Sequence, residues 1–332
     1  LFVTPYMETG GTEKIIYDLC KGLSDKGWKI FLISSGGRLV REAESLGVKH
    51  IQVHSLSSKS PIAIFKSSII LRNVIKKYNI RIINSHSYVV AFATAISLIK
   101  LKRKLNHIFT LHIPEKEFYF KIMGLTLNWL VDRTFTVCKW NREKLINSGV
   151  SESNINVIYN GINIEDFTSN YKLNWKTNII KIGVVARLVK RKGHSILLHA
   201  VRHFLNNYND MSIEVHFFGD GPNRKSLEQL TLYLKLQNIV KFHGDIKEIK
   251  FAYRSFHLFI LPSYSEGLPL TILEAMCSRV PIITTNVNGI PEIVKNGITG
   301  LIFSPGDYKA LSKTIRKIIE NTRLRHKLTN NA

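Results

Sequence analysis

Residues 261–281 read LPSYSEGLPLTILEAMCSRVP, and the rest of the chain is best read outward from this stretch. An apolar run ends at Leu261, a loop carries Glu266 and Gly267, and a helix is predicted from about Pro269 through Met276. Loop amides and the helix N-terminus then point at whatever binds beyond the strand, an arrangement suited to anions and hydroxyls. Taken alone, Glu266 is a turn residue and Glu274 a solvated helix residue. Their context argues otherwise. Gly267 and Pro269 fix the approach of a backbone that sets Glu266 at the carboxyl end of a strand. Leu270, Ile272, Leu273, Ala275 and Met276 surround Glu274 with apolar positions, so its charge needs a partner.

On either side, short β-branched runs alternate with stretches of helical period, the pattern of βαβ units and parallel sheets covered on both faces. Strands are predicted at 1–4, 29–34, 81–84, 107–111, 134–137 and 156–158, and again at 180–186, 213–218, 240–243, 258–261, 282–285 and 300–303. A helix over 11–26 stops at Gly27, and one over 61–78 opens with proline. The segment 166–178, DFTSNYKLNWKTN, is polar, lacks either period and reads as a linker between domains 1–165 and 179–332. The expected architecture is α/β: two Rossmann-like parallel-sheet domains facing each other across a cleft, with ligands beyond the carboxyl ends of the strands. Leu1 opens directly into a strand. After a helix at 308–320, NTRLRHKLTNNA ends where a further helix could begin, so the chain reads as truncated at both ends.

Composition excludes several classes. A chain of 332 residues with 45% hydrophobic residues is neither disordered nor fibrous. Cys20, Cys138 and Cys277 lack paired spacing, which argues against a disulfide framework or zinc site and for a reducing cytoplasm. The uncharged apolar run 88–99 is shorter than the roughly 20 residues a spanning helix needs, and no export leader precedes the first motif. Lys and Arg number 47 against 24 Asp and Glu, a net +23 that calls for an anionic partner. Between Ser45 and Pro114 there are eleven Lys or Arg and no acidic residue, with a cluster at Lys100, Lys102, Arg103 and Lys104. Aromatic residues do not interleave with that cluster, which speaks against nucleic acid.

The stretch 261–281, with two glutamates separated by seven residues, resembles the signature of retaining glycosyltransferase family 4, of GT-B fold. Other segments match in order: Gly10, Gly11 and Glu13 the first glycine loop, Asn160-Gly161-Ile162 the domain-closing segment, and ARLVKRKG from Ala186 to Gly193 the diphosphate clamp. Gly219-Asp220-Gly221-Pro222 resembles the loop of the next strand, Phe242-His243-Gly244 the base-binding loop, and Asn288 to Glu292 with 297–303 the tail. Cys138 departs from the family's usual serine, and the sequence reads as stopping before the family's final crossing helix.

The resemblance implies transfer of a sugar, with retention, from a nucleoside diphosphate donor, a UDP-sugar first among candidates, to a glycan or lipid-linked acceptor. Such enzymes serve cell-surface polysaccharide or lipopolysaccharide assembly at the cytoplasmic face of the membrane. By the same resemblance Arg187 and Lys192 hold the diphosphate, Glu274 the ribose, Glu266 with nearby amides the sugar, and His112 the reacting centre. Gly10, Gly11, Gly219, His243, Gly267, Leu268, Leu270 and Thr271 complete the donor site. Arg187 and Lys192, five apart around a loop after a strand, offer a fork and a point charge to two phosphates. No Asp-x-Asp occurs, so the cations are expected to replace a metal, and no cofactor is expected. A sugar-nucleotide 2-epimerase of the same fold remains an alternative, and a basic nucleic-acid-binding protein a remoter one. The predicted helix 61–78 carries Ile62, Ile64, Phe65, Ile69, Ile70, Val74 and Ile75 beside Lys66, Arg72, Lys76 and Lys77. It reads either as an interfacial helix docking on anionic lipid or as a core-facing helix with a solvated basic face.

Overall fold

Alternation of β-branched and helical runs produces two α/β units, Leu1–Asn160 and Gly161–Ala332, in a computed structural model that describes residues 1–99, 101, 105–113, 115–168, 175, 177, 179–208, 211–246 and 248–332. The cluster Lys100, Lys102, Arg103 and Lys104, and most of the linker 166–178, lie outside the described residues. The first unit runs β1 (Phe2–Val3), α1 (Gly11–Ser24), β2 (Phe31–Ser34), α2 (Val40–Ser45), β3 (Lys49–Gln52), α3 (Pro61–Lys77), β4 (Ile82–Ser85), α4 (Tyr88–Leu98), β5 (Asn106–Leu111), α5 (Glu117–Leu130), β6 (Arg133–Thr136), α6 (Lys139–Asn147) and β7 (Ile155–Val157). Its parallel sheet has the order β3-β2-β1-β4-β5-β6-β7. Side chains alternate across it. Phe2, Ile30 and Leu32 pack with Ile16 and Cys20 of α1 and Ala43 of α2. Val3, Phe31, Ile33 and Ile83 pack on the other face with Leu71, Val74 and Ile75 of α3 and Val90 and Ala93 of α4. Right-handed crossovers require this split, because the order runs outward one way through β2 and β3 and the other way from β4.

The second unit runs α7 (Ile164–Phe167), β8 (Ile179–Val185), α8 (His194–Asn207), β9 (Ser212–Phe218), α9 (Arg224–Tyr233), β10 (Val240–Gly244), α10 (Ile249–Tyr253), β11 (Leu258–Leu261), α11 (Leu270–Cys277), β12 (Ile282–Thr285), α12 (Ile290–Ile293), β13 (Leu301–Phe303), α13 (Tyr308–Glu320) and α14 (Thr322–Asn331). Its sheet is β10-β9-β8-β11-β12-β13, again parallel. Strand β11 is buried along its whole length, as a central parallel strand with helices on both faces must be.

Strand β3 was not expected: Lys49, His50 and Gln52 interrupt any apolar pattern, and the strand is an edge that pairs only with β2. The terminal stretch, where the sequence allows a further helix to begin, forms α14, in which Arg325 donates to the Ile318 and Ile319 carbonyls and lies over the Trp175 ring. Helix α3 turns Ala63, Ser67, Ser68, Leu71, Val74 and Ile75 inward and leaves Ile62, Phe65, Ile69 and Ile70 exposed, so the core-facing reading fails for those four. No helix among the described residues is long and apolar enough to cross a membrane.

Gly183, in the centre of β8, lies where a Cβ would overlap the ring of Phe256, which is itself buried against Phe218 and Tyr253. Gly183→Ala forces that ring or the strand to move. Equilibrium urea unfolding should show a loss of about 1–3 kcal/mol, read as a lower midpoint at unchanged slope. An unshifted midpoint would show that the ring yields without cost.

Candidate functional site

In the second sheet the strand order reverses at the β8–β11 pair, and ligands of such sheets bind beyond the strand ends at that point. The loops leaving those two strands are bound to each other. The Tyr264 amide donates to the Arg191 carbonyl at 2.7 Å. Gly193, with φ +68°, caps α8 where any Cβ would overlap the carbonyl oxygen of Pro262, so glycine alone fits.

This close approach brings Lys192 to Glu266. Lys192 Nζ donates to Glu266 Oε1 at 2.6 Å, Ser263 Oγ donates to the same oxygen at 2.6 Å, and Arg191 Nη1 lies 3.8 Å from Oε2. Glu266 is only 3% exposed, and its amide donates to Asn288 Oδ1 at 3.2 Å. Two cations and a hydroxyl thus compensate a buried carboxylate, the condition under which such a charge is tolerated. Burial pushes the Lys192 ammonium below the usual amine value, with Glu266 pulling the other way.

Glu274, on α11, is also buried, and the partner its charge requires is Tyr253: the phenol donates to Oε2 at 2.7 Å. Burial, with the carboxylate beside it, holds the Tyr253 hydroxyl well above its usual range, so it stays protonated. A second, longer bond from the same hydroxyl reaches the Thr271 carbonyl at 3.3 Å. Gly267, Leu268 and Leu270 are buried around this turn.

The loops after β8, β9 and β10 continue the ladder beyond the strands. Ala186 donates to the Phe218 carbonyl, Leu188 to Asp220 and Gly219 to Gly244, at 2.8–3.0 Å. Gly219, at φ +123°, is required there because a Cβ would overlap the Ala186 carbonyl. Arg187 extends from this edge and is exposed, outside the Lys192–Glu266 network. His243 stacks on Phe218, with ring centroids 4.3 Å apart, and shares a 3.0 Å hydrogen bond with His216.

In the first unit Gly10 caps α1 with extended backbone and Gly11 is its first residue, with open space where a Cβ would stand. His112 directly follows β5 and His86 directly follows β4; both are buried, and Nδ1 of His86 lies 2.7 Å from Nε2 of His112. One ring donates and the other accepts, so the two tautomers are coupled. His86 Nε2 and His112 Nδ1 have no partner among the described residues, which leaves the pair one outer donor and one outer acceptor.

The structure therefore joins Lys192 to Glu266, and it adds residues to which the sequence reading gave no role in the site: Arg191, Ser263, Asn288, Tyr253 and His86. A signal existed for His86, a histidine just past the predicted strand 81–84. None existed for Tyr253, which lies 21 positions before Glu274.

Residues 167–332, half of the chain, match the family model described as glycosyl transferases group 1, and residues 9–166 match the model described as Glycosyltransferase Family 4. The chain is 26% identical over 328 residues to a subunit of the human phosphatidylinositol N-acetylglucosaminyltransferase, covering 95% of this chain and 66% of that one. It thus spans just under two thirds of that relative's length. It is also 26% identical over 337 residues to the N,N'-diacetylbacillosaminyl-diphospho-undecaprenol alpha-1,3-N-acetylgalactosaminyltransferase of Campylobacter jejuni, covering 95% of this chain and 88% of that one. The fold matches the crystal structure of Anabaena Alr3699/HepE in complex with UDP and glucose, with TM-score 0.84, 20% identity, and coverage of 99% and 92%. The two parallel-sheet units are those of the GT-B fold.

Four buried histidines set an acid limit on the fold. Burial lowers His107, His112 and His194 from the usual 6.5 to about 4, with Lys192 adding to the effect at His194. Burial and then His112 hold His86 well below 6.5. The unfolded chain takes up these protons near pH 6.5 and the folded chain refuses them until near 4, so stability falls as pH drops through that window. Melting temperature should decline steadily from pH 7 to 5. A flat profile would mean that these rings are not held neutral.

Proposed function

Because the chain belongs to the glycosyl transferases group 1, we propose that it moves a sugar from a UDP-sugar to a glycan or lipid-linked acceptor, with retention and without a metal. The observation that carries this reading is the Lys192–Glu266 pair between the loops leaving β8 and β11. Lys192 neutralises Glu266 in the free protein, and an arriving diphosphate competes for the same ammonium. As Lys192 moves to the phosphates, the carboxylate is released to accept hydrogen bonds from sugar hydroxyls. Arg187, exposed five positions earlier on the same connection after β8, adds a planar fork to the same phosphates. Positive charge preorganised on the leaving nucleoside diphosphate lowers the barrier to breaking its bond to the sugar.

Glu274 receives the ribose hydroxyls, its carboxylate oriented by Tyr253. Gly219, His243, Gly267, Leu268, Leu270 and Thr271 shape the remainder of the donor site. The roles proposed for the first unit are that Gly10 and Gly11 offer backbone unshielded by side chains to a ligand, and that His112, held neutral by burial, offers a hydrogen bond rather than a charge. The lipid-linked acceptor draws support from the names of the human and Campylobacter relatives, which specify phosphatidylinositol and a diphospho-undecaprenol. With such an acceptor, the role we propose is assembly of a cell-surface polysaccharide or lipopolysaccharide at the inner face of the membrane.

Replacing Arg187 with Ala or Lys192 with Gln should lower turnover by about 10² to 10³ while circular dichroism stays unchanged, the usual cost of removing one charge-stabilising group. Near-normal turnover in the folded double variant would remove the clamp. Donor identity is read separately by saturation-transfer NMR against UDP-, GDP- and ADP-sugars.

Sugar transfer should persist in EDTA, because two cations on the diphosphate do the work of a bridging metal ion. Complete loss, reversed by added Mg²⁺ or Mn²⁺, would overturn that part of the reading.

A further inference from the structure

We propose that the outer surface of the helix layer α3, α4 and α5 is a docking face for an anionic lipid bilayer. Helix α3 presents Ile62, Phe65, Ile69 and Ile70 to the outside, with Ile62 70% exposed, and directs Ser67 and Ser68 to the inside. The serines are satisfied there: Ser67 Oγ pairs with Ser55 Oγ at 2.7 Å, and Ser68 Oγ donates to the Phe65 carbonyl at 2.7 Å. Core packing therefore does not require the outward isoleucines and phenylalanine, which cost solubility where they stand. Neighbouring helices continue the surface. Phe92 of α4 and Ile99 just past its end are exposed, and Arg72 of α3 donates to the Ile99 carbonyl at 2.8 Å. On α5, Phe118, Leu125 and Trp129 recur at helical spacing along one face, Leu125 and Trp129 being 77% and 89% exposed. Lys59 Nζ lies 5.4 Å from the Tyr119 ring centre, which links the start of α3 to α5.

Charge selects the occupant. Lys66, Lys76, Lys77 and Lys121 are exposed among these apolar side chains. Neither α3 nor α4 contains an acidic residue, and the single one on α5, Glu117, is paired with Lys144 at 3.3 Å. A mixed field of lysines and large apolar groups, with a tryptophan, suits the headgroup boundary of a bilayer: the apolar side chains enter and the ammonium groups remain at the phosphates. A second copy of the same face would set lysine against lysine, so self-association is disfavoured. The inference rests on the proposed use of a lipid-linked acceptor, which a docked first unit meets at the membrane surface.

Vesicle co-flotation of the whole chain tests it, using phosphatidylcholine alone and phosphatidylcholine mixed with phosphatidylglycerol. Wild-type protein should float with the anionic vesicles at low salt, less at high salt, and little with the neutral ones. The triple variant Lys66→Gln, Lys76→Gln, Lys77→Gln should lose roughly 100-fold in partitioning. Ile62→Ser with Phe65→Ser and Ile69→Ser should lose a comparable amount. Trp129 emission should shift to the blue on anionic vesicles, and this change should vanish in Trp129→Tyr. Equal flotation on both vesicle types, or variants that float like wild type, would overturn the proposal. So would a concentration-dependent dimer in sedimentation that the same substitutions abolish, since the face would then belong to a second copy. UDP-sugar binding by thermal shift is measured in every variant, all of which change outward residues. Retained binding with lost flotation supports the docking face, whereas flotation without any nucleotide-sugar binding refutes the proposed enzymatic reading and not the surface.

Discussion

The contact between Gly193 and the Pro262 carbonyl governs the geometry of the second unit's functional edge. Without a side chain at Gly193, the loop after β8 and the loop after β11 come within backbone hydrogen-bonding distance. Only then can Lys192 reach Glu266 and let a carboxylate persist at 3% exposure. A buried ion pair of this kind is a weak source of stability, because desolvating both groups offsets most of their attraction. Its value is positional. Ser263 and Arg191 hold its carboxylate and Asn288 its backbone amide, which orients the group for the sugar hydroxyls proposed as its ligands.

Glu274 follows the opposite strategy. A phenol from another helix donates to its carboxylate, whereas Glu266 takes an ammonium from a neighbouring loop, so the two glutamates of one loop and helix are held by different chemistry.

How much of this was legible depended on whether the signal was local. Parallel α/β architecture followed from alternating periods, and strands β11 and β12 were bounded to the residue because they are central and apolar. Strand β3 was illegible because Lys49, His50 and Gln52 carry no periodic pattern; its pairing with β2 creates it. The burial of Glu274 was legible from its apolar neighbours, but its partner was not, since Tyr253 arrives from a different helix. Arg191 was hidden by its setting in a run of basic residues, any of which could have turned toward the loop. Helix α3 left two readings open for a physical reason: apolar count gives the strength of an amphipathic pattern, while the core takes whichever face fits, here one with two serines.

The strand order also has a consequence for the order of events in synthesis. Strand β1 lies inside the first sheet, flanked by β2 and β4, and its residues Phe2 and Val3 pair with Asn84 and Ser85. This internal strand therefore leaves the ribosome some eighty residues ahead of one of its two partners, so that pairing has to close a long loop and forms late. Until then its apolar residues are open to the wrong partners. Pairing with β2, which follows some thirty residues behind, covers one of its two edges early and leaves only the other exposed during the wait.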